Sequence, residues 1–304
     1  MTIVIAWTRK IGNGRELLVS SDSRLTSAGH VDVCQKIFPL IRGDAFFAFC
    51  GDTALAFPVI FQINSAIANY RPAVDRGEDV PELLSRILTL LNEYQRSWKD
   101  TDKMDHAETV RTTKFLFGGW SWRLNTFRIY PIHYSVTHRE FRSYKHSIQT
   151  RSLQLPDGES CFVIGDYVAE FRDRLRDHCA TSKPRSLDYA PLRILAEMLR
   201  EEKFVNRRAE ASFFSKSEKP GAIGGAPQLL KVYQHAVARP VAVRWHTNGA
   251  PSISLLGRTL FHWEKTLTTI IDPDTGNAFH PLATVRNDYE EPQLTGVTMA
   301  SWPD

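Results

Sequence analysis

The feature that most constrains the fold of this sequence is the alternation of strand-like and helix-like segments along it. Short apolar segments typical of strands fill the first fifty residues: 3–7, 16–21, 31–40 and 45–50. Helix patterns and further strands then alternate in groups: helices at 55–67 and 83–91, strands at 114–119, 127–134, 141–146 and 160–164, helices at 167–179 and 192–202, and strands at 228–235, 241–246 and 252–256. This order predicts an α+β fold with two stacked sheets and helices on both outer faces, a four-layer αββα sandwich.

Turn signals and domain boundaries follow from the same pattern. Gly12-Asn13-Gly14 predicts a hairpin between the first two strands. Pro58 predicts a kink or a late start in the first helix. The sequence has no internal repeat, low-complexity tract or clear linker. We expect one domain over residues 2–250, with residues 251–304 as a C-terminal extension packed on it.

Composition and charge exclude several classes of protein. With 42% hydrophobic and 24% charged residues, the 304-residue chain is neither disordered nor fibrous. Its 38 Lys and Arg against 34 Asp and Glu give a net charge of +4 without a basic run, so nucleic-acid binding is not predicted. The sequence lacks both a secretory signal and the roughly 20 consecutive apolar residues of a membrane helix. We therefore expect a cytoplasmic protein that does not bind membranes.

Neither the cysteines nor the histidines predict a metal site. Four cysteines lie far apart without a CxxC pair, which predicts reduced thiols: Cys34, Cys50, Cys161 and Cys179. The ten histidines form no HExxH motif. The segment Asp272-Pro273-Asp274-Thr275-Gly276 is similar to a calcium loop, but its glycine comes one position early and the closing glutamate is absent, so we interpret it as a turn. No metal and no cofactor are expected.

The start of the sequence holds a residue suited to nucleophilic catalysis. Thr2 is small enough for methionine aminopeptidase to remove Met1, which would leave a free threonine at the start of the chain. A threonine hydroxyl is a poor nucleophile until a base takes its proton, and a free α-amine, with a reference pKa of about 7.7–8.0, is suited to that role near neutral pH. Because threonine is common at position two, Thr2 alone does not indicate a function.

Motifs on the following strands give Thr2 a context. Asp22-Ser23-Arg24-Leu25-Thr26, Lys36-Ile37 and Phe49-Cys50-Gly51 occur in this order on successive predicted strands. In their order and spacing they resemble the proteasome β-subunit family, including its bacterial relatives HslV and Anbu. The resemblance covers about the first hundred residues well and continues more loosely, through Phe117-Gly118-Gly119-Trp120 and Phe162-Val163-Ile164-Gly165, to about residue 180.

The chemistry assigns a role to each of the main residues. Thr2 would be nucleophile and base together. Lys36, as a buried like charge, would lower the pKa of the α-amine, and Asp22 would pair with Lys36 and hold it in place. The backbone N–H of Gly51, in a tight strand-to-helix turn, would donate to the developing oxyanion. The alternative for each residue is structural: an ordinary ion-pair network for Asp22 and Lys36, and a strand-ending turn for Gly51.

One position departs from the family pattern. Members of the family have a serine near the start of the third helix that completes the network around the nucleophile. In this sequence the corresponding position, after Val163-Ile164-Gly165, is Asp166. An aspartate there accepts a hydrogen bond from the amine in one interpretation and caps the following helix in the other. We assign Asp166 a supporting role at the site.

The resemblance also implies a substrate-binding set: Arg24, Leu25, Thr26, Cys34, Phe38, Phe49 and Thr53. The backbone at Thr26 would pair with an extended substrate by strand addition. The pocket for the side chain before the scissile bond would contain no charge, so an apolar preference is expected. The alternative for Phe38 and Phe49 is that both belong to the hydrophobic core.

The resemblance implies a threonine peptidase that acts on peptides or unfolded proteins and assembles into a homo-oligomeric ring or spiral. An ATPase that unfolds substrates is a further partner known for the family, although no residue here identifies one. Two other functions stay open. One is a small-molecule amidase on the same fold, and the other is a non-catalytic structural or assembly protein that keeps Met1.

Overall fold

A computed structural model describes most of the chain: residues 2–26, 30–99, 106–143, 155–156, 159–207, 219–220, 223–234, 237–247, 249–266 and 268–279. The expected strand residues 144–146 and 235 lie outside this part, as does the end of the expected C-terminal extension. Among the helices of the described part, none has the length and apolar character that crossing a membrane requires.

The described part contains strands of two to eleven residues: β1 Ile3–Ile11, β2 Gly14–Ser21, β3 Leu25–Thr26, β4 His30–Val31, β5 Ile37–Pro39, β6 Ala45–Cys50, β7 Lys114–Ser121, β8 Thr126–Ser135, β9 Glu140–Ser143, β10 Cys161–Gly165, β11 Asn206–Arg207, β12 Lys219–Pro220, β13 Gln228–Tyr233, β14 Val237–Thr247, β15 Ala250–Leu255, β16 Arg258–Thr259, β17 Ile270–Ile271 and β18 Ala278–Phe279. It also contains helices: α1 Thr53–Ala68, α2 Arg71–Val74, α3 Val80–Ser97, α4 His106–Thr112, α5 Val168–Ser182, α6 Ala190–Arg200 and α7 Glu202–Val205. The predicted α+β class is confirmed.

The larger sheet has the strand order β10-β1-β2-β13-β14-β15-β16, and β17 with β18 joins it alongside β14. All of its pairs are antiparallel except β14 with β17. The hairpin predicted at Gly12-Asn13-Gly14 is confirmed, because β1 and β2 pair from Val4 with Ser21 to Ile11 with Gly14. Since β15 pairs with β14, this sheet continues past residue 250.

The smaller sheet has the order β5-β6-β7-β8-β9, with every pair antiparallel. The strand expected at 31–40 is wrong over most of its length, because only β4 and β5 form there. The backbone between them bonds elsewhere: Cys34 N–H donates to Ser23 O at 3.0 Å, and Lys36 N–H donates to the side chain of Gln228 at 3.0 Å. These bonds take the place of a β-ladder and aim Lys36 inward.

Helix α1 begins before Pro58, so a late start at the proline is wrong. Asp52 caps the helix, and its carboxylate accepts hydrogen bonds from Ala54 N–H at 2.7 Å and Leu55 N–H at 3.3 Å. These bonds satisfy two of the four N–H groups that the first turn of a helix leaves without a partner. Helix α3 confirms the second predicted helix and buries Leu83, Ile87 and Leu91 along one face.

Three hydrophobic clusters order the layers around the candidate site. The inner cluster joins the two sheets through side chains such as Val4 and Val19 from the larger and Phe46 and Leu116 from the smaller. A second cluster packs the other face of the larger sheet against α5, α6 and α7. A third packs the other face of the smaller sheet against α1, α3 and α4. Helices thus pack against residues of the larger sheet in the second cluster and against residues of the smaller sheet in the third.

Candidate active site

The candidate site lies at one edge of the larger sheet, where four strands begin or end. The pairing register places Ile3 opposite Gly165, and Ser21 opposite both Val4 and Gln228. Thr2 therefore lies just before β1, Asp22 just after β2 and Asp166 just after β10. Thr2 and Asp166, which are 164 positions apart in the sequence, become neighbours at this edge.

Lys36 links Thr2 and Asp22. Its Nζ donates to Thr2 Oγ1 at 2.7 Å and to Asp22 Oδ1 at 2.9 Å. The side chains of Lys36 and Asp22 are fully buried, and Thr2 is buried as well. The structure thus brings together the three residues that were expected to act as nucleophile, lysine and supporting carboxylate.

The Asp22 carboxylate is held by four donors. Oδ1 accepts from Ile3 N–H at 3.1 Å as well as from Lys36, and Oδ2 accepts from Arg24 N–H at 3.1 Å and Gly224 N–H at 3.2 Å. Three of these donors are backbone groups, which fix the position of the carboxylate and compensate part of its lost hydration. Asp22 in turn fixes Lys36.

Burial disfavours the charged forms of both Lys36 and Asp22. It lowers the pKa of Lys36 and raises the pKa of Asp22, and the charge of each partner opposes the effect of burial on the other. Lys36 consequently releases its proton more readily than an exposed lysine does. A lysine that releases its proton readily can exchange a proton with a hydroxyl to which it is hydrogen-bonded.

Asp166 contacts the backbone of Thr2 on both sides. Its Oδ2 accepts from Thr2 N at 2.7 Å, and its own N–H donates to Thr2 O at 2.7 Å. Gly165 makes this approach possible: it has a φ of +109°, and a Cβ there would lie 1.9 Å from Thr2 O. Helix α5 has Tyr167 as its N-cap residue without a side-chain cap bond, so Asp166 does not cap that helix.

Gly51 and Cys50 end strand β6. Gly51 has a φ of +114° and lies against Thr113, whose Cα would be 2.6 Å from an added Cβ. A larger residue is therefore excluded at Gly51 by the contact with Thr113 as well as by its backbone conformation. Cys50 is buried, and burial raises the pKa of its thiol to about 12. The thiol is thus protonated at neutral pH, in agreement with its interpretation as a core residue.

The expected substrate-pairing strand is free on one edge. Leu25 and Thr26 pair with His30 and Val31 in a two-stranded ladder, and within the described residues no strand pairs with the other edge of β3. The Oγ1 atom of Thr26 is buried without a hydrogen-bond partner among the described residues. The free edge has the geometry that strand addition requires.

The side chain of Arg24 is buried and committed to the fold. Its Nε and Nη2 donate to the two carboxylate oxygens of Asp32 at 2.6 and 2.8 Å, and its Nη1 donates to Val205 O at 2.6 Å. Gly224 packs against the guanidinium of Arg24: a Cβ added to Gly224 would lie 2.4 Å from Arg24 Nε. Arg24 was expected to bind substrate, but the structure gives its side chain a fixed internal ion pair instead.

The expected specificity pocket divides between two environments. Phe49 is fully buried in the cluster between the smaller sheet and its helices, and Phe38 stacks on it with ring centroids 6.4 Å apart. Phe57, which the sequence analysis missed, packs against both rings. Phe49 is thus a core residue, because alternate side chains of β6 face opposite sides of the sheet.

The remaining members of the expected pocket are partly exposed: Leu25, Cys34 and Thr53. Leu25 packs on the cluster that holds Phe49, and Thr53 begins helix α1. Burial raises the pKa of the Cys34 thiol, and all four cysteines are free, as predicted.

Two residues of this region were not selected from the sequence. Gln228 and Gly224 contact Asp22 or its neighbours from positions about two hundred residues further along the chain. Gln228 begins an apolar strand, and Gly224 lies in the loop before it. Their only sequence signal is a polar residue and a glycine pair next to a strand, which is too common to indicate a site.

The arrangement places a hydroxyl, a buried lysine and two carboxylates together: Lys36 bonds Thr2 Oγ1 and Asp22, and Asp166 bonds Thr2 N. A hydroxyl in such a setting becomes a nucleophile once a nearby base accepts its proton. The α-nitrogen of Thr2 gains that capacity only as a free amine. No protein-family model matches the chain, and a search of curated proteins finds no match.

Proposed function

We propose that this protein is an N-terminal-nucleophile hydrolase, a threonine peptidase similar to the proteasome β-subunits and Anbu, in which removal of Met1 exposes Thr2. One observation carries the proposal: a fully buried Lys36 donates to both Thr2 Oγ1 and Asp22 Oδ1. A buried ion pair is costly unless it is well satisfied. In this ion pair, Lys36 is also hydrogen-bonded to the hydroxyl of Thr2. Activation of that hydroxyl requires such a contact.

The reaction proceeds through an acyl-enzyme. The α-amine takes the proton of Thr2 Oγ1 as the oxygen attacks the peptide carbonyl carbon, and Gly51 N–H donates to the resulting oxyanion. The C–N bond breaks, the leaving amine receives the proton, and an ester to Thr2 remains. Water, deprotonated by the same amine, attacks this ester. The released acid leaves Thr2 with its hydroxyl restored.

Two charges act on the α-amine in opposite directions. Lys36 disfavours the ammonium form and so lowers the pKa of the amine. Asp166, whose carboxylate is 2.7 Å from Thr2 N, favours the ammonium form and raises it. The amine pKa of the processed enzyme is set by this balance. In this respect the protein differs from relatives that have a serine in place of Asp166.

The packing of the layers supports the fold that the proposal implies. A four-layer αββα sandwich requires an inner core between two sheets and helices packed on them, and the three clusters support this arrangement. Thr2 directly precedes β1, an interior strand of the larger sheet, and the proposal makes it the nucleophile of that fold. The proposal treats residues 2–250 as the catalytic domain and residues 251–304 as an extension packed on it.

The proposal extends to substrates and partners. The free edge of Leu25–Thr26 is the pairing site for an extended peptide or unfolded protein. Exposed apolar side chains such as Phe61, which is 69% exposed, and Ile41 are suited to contacts in a homo-oligomeric ring or spiral. An ATPase partner and a cytoplasmic location belong to the same proposal.

The test is the intact mass of the purified protein before and after treatment with a peptide epoxyketone that has an apolar residue next to the epoxide. This reagent bonds to both the hydroxyl and the amine of an N-terminal threonine. We expect loss of Met1 and one adduct, which Thr2→Ala abolishes. Thr8→Ala is the matched control, because Thr8 is a buried threonine on β1, the strand that follows Thr2, and it should form the adduct normally.

The outcomes separate the three functions. Loss of Met1 with an adduct that needs Thr2 supports the peptidase. Hydrolysis of small acyl amides but not of peptides, by a protein that sediments as a monomer, would favour the amidase. Retained Met1 without an adduct would contradict both enzymes and favour a structural role.

A further inference from the structure

Gln228 is a fully buried amide at the start of β13. Its Nε2 donates to Asp22 O at 3.0 Å and to Cys34 O at 2.8 Å, and its Oε1 accepts from Lys36 N–H at 3.0 Å. Its own carbonyl accepts from Ser20 Oγ at 2.7 Å. One side chain thus joins the segment after β2 to the segment before β5.

These bonds matter most for Lys36. The residue lies in the irregular stretch just before β5, where the expected β-strand does not form. Two groups hold the backbone around Lys36. Gln228 bonds Lys36 N–H and Cys34 O, and Phe49 N–H donates to Lys36 O at 3.3 Å. The side chain of Gln228 therefore supplies the backbone hydrogen bonds that a neighbouring strand would supply in a β-sheet.

The loop before Gln228 holds the partner of Lys36. Gly224 N–H donates to Asp22 Oδ2, Ser23 N–H donates to Gly224 O at 3.0 Å, and Ser23 Oγ donates to Ala226 O at 2.8 Å. Gly225 lies so close to Ser23 that a Cβ would be 2.3 Å from its Oγ. The segment 224–228 thus closes around Asp22 on one side and Lys36 on the other.

We propose that Gln228 is a positioning residue for the chemistry of Thr2: it fixes the backbone of Lys36 relative to Asp22 so that Lys36 Nζ reaches Thr2 Oγ1. This inference rests on the proposed function. Gln228 bonds to neither Thr2 nor the Asp22 carboxylate in this structure, so it acts through Lys36. Because reacting groups misplaced by about 1 Å can cost on the order of 10²-fold in rate, loss of this support should slow the chemical step.

The experiment measures the reaction of Thr2 with the peptide epoxyketone in the wild-type protein and in two variants. Gln228→Met keeps the length of the side chain and removes all three of its hydrogen bonds. Gln228→Glu keeps its shape, but an ionised carboxylate donates to neither Asp22 O nor Cys34 O. For each protein, the limiting rate at saturating reagent and the half-saturation concentration are determined against pH. Thermal unfolding is recorded in parallel.

A matched control is provided by Asn92. Its buried amide also braces backbone, donating to Phe141 O at 3.1 Å and accepting from Phe141 N–H at 2.7 Å, but it lies on α3 beside strand β9. Asn92→Leu removes the same kind of bonds away from the site. We expect Asn92→Leu to unfold at a lower temperature and to keep the wild-type limiting rate.

For Gln228→Met we expect the limiting rate to fall roughly 10- to 100-fold with the half-saturation concentration nearly unchanged. For Gln228→Glu we expect a similar fall at neutral pH and a smaller fall, relative to the wild-type protein at the same pH, at lower pH, where the protonated carboxyl donates one hydrogen bond. Two variants are used so that the result does not depend on one of them folding.

Three results would overturn the inference. One is a wild-type limiting rate in either folded Gln228 variant. Another is an equal loss of rate in Asn92→Leu, which would make the effect one of general destabilisation. If the wild-type protein itself forms no adduct, the proposed function fails and the inference fails with it. That result is distinguishable from the first two, in which the wild-type protein reacts.

Discussion

The two ends of the β1–β2 hairpin each bury a lysine beside a carboxylate. At the site end, Lys36 Nζ is 2.9 Å from Asp22. Near the turn, Lys231 Nζ is 3.5 Å from Glu16, which also bonds Arg9. Burial lowers the pKa of both lysines. A buried lysine with a lowered pKa therefore does not by itself distinguish a catalytic site from a structural ion pair.

The surroundings of the two lysines separate them. Lys231 lies over the ring of Tyr189, 5.2 Å from its centroid, and shares Glu16 with Arg9. The contacts of Lys231 are those of a structural residue: an ion pair and packing on an aromatic ring. Lys36 instead donates to the hydroxyl of Thr2. The functional interpretation of Lys36 therefore depends on the threonine hydroxyl beside it and not on the ion pair alone.

The largest effect is expected from removing each lysine in turn. Lys36→Met should lower the rate of epoxyketone reaction by roughly 10²–10⁴-fold, the range for loss of a proton-transfer or charge-positioning group. Lys231→Met should leave that rate within about threefold, because its contacts do not include the site. The rates are read from the adduct mass over time. Equal losses in the two variants would contradict the distinction between the two ends.

The second effect is on stability at the turn end. Glu16→Gln leaves Arg9 and Lys231 buried without their shared carboxylate, and the free energy of unfolding should fall by about 3 kcal/mol, at the low end for a broken buried pair. The low end is expected because Arg9 also bonds Asp188. Urea unfolding measures the change. The reaction rate of the folded variant should stay that of the wild-type protein, and a parallel loss of rate would show that the two ends are coupled.

The sequence predicts the main residues of the candidate site but not the residues that hold them in place. Thr2, Asp22 and Lys36 lie within the first 36 positions, where a predicted hairpin already brings the start of β1 next to the end of β2. Gln228 and Gly224 come from about two hundred residues away, and their approach depends on the pairing of β13 with β2. No local pattern sets that register, because a shift of one residue would turn every side chain of β13 to the other face.

Two residues show what composition alone leaves open. Phe38 and Phe49 were correctly placed near strands, but only the observed register turns Phe49 toward the helices and away from the inner cluster. The strand expected at 31–40 had the right apolar content, yet the N–H of Lys36 bonds a side chain instead of a neighbouring strand. The sequence pattern identified these residue types, and tertiary hydrogen bonds decided their conformation.

A third prediction concerns Asp166 and the pH profile. Its carboxylate stabilises the ammonium form of the processed Thr2, so Asp166→Asn should lower the pKa of the amine. Since the proposed mechanism uses the free amine as the base, the acid limb of the rate–pH profile should move to lower pH by about 1 unit. The epoxyketone rate measured from pH 5 to pH 9 tests this. Asp188→Asn, at the turn end, is the control and should leave the profile in place.

The smallest effect compares two buried thiols. Burial raises the pKa of Cys50, near the site, to about 12, and it also raises the pKa of Cys161, opposite Trp7 on the neighbouring strand. A thiol that keeps its proton in the folded state stabilises the fold below its unfolded pKa of about 9, and this contribution is lost as the pH rises toward the folded value.

Between pH 8 and pH 9.5 the wild-type protein should therefore lose about 0.8 kcal/mol of stability through Cys50 alone. Cys50→Ala should show a correspondingly smaller loss in urea unfolding, and Cys161→Ala should behave in the same way. Neither substitution should change the epoxyketone rate, because a protonated core thiol is not a nucleophile. A lower rate in Cys50→Ala alone would show that the thiol nearer the site takes part in the chemistry, unlike its counterpart further along the strands.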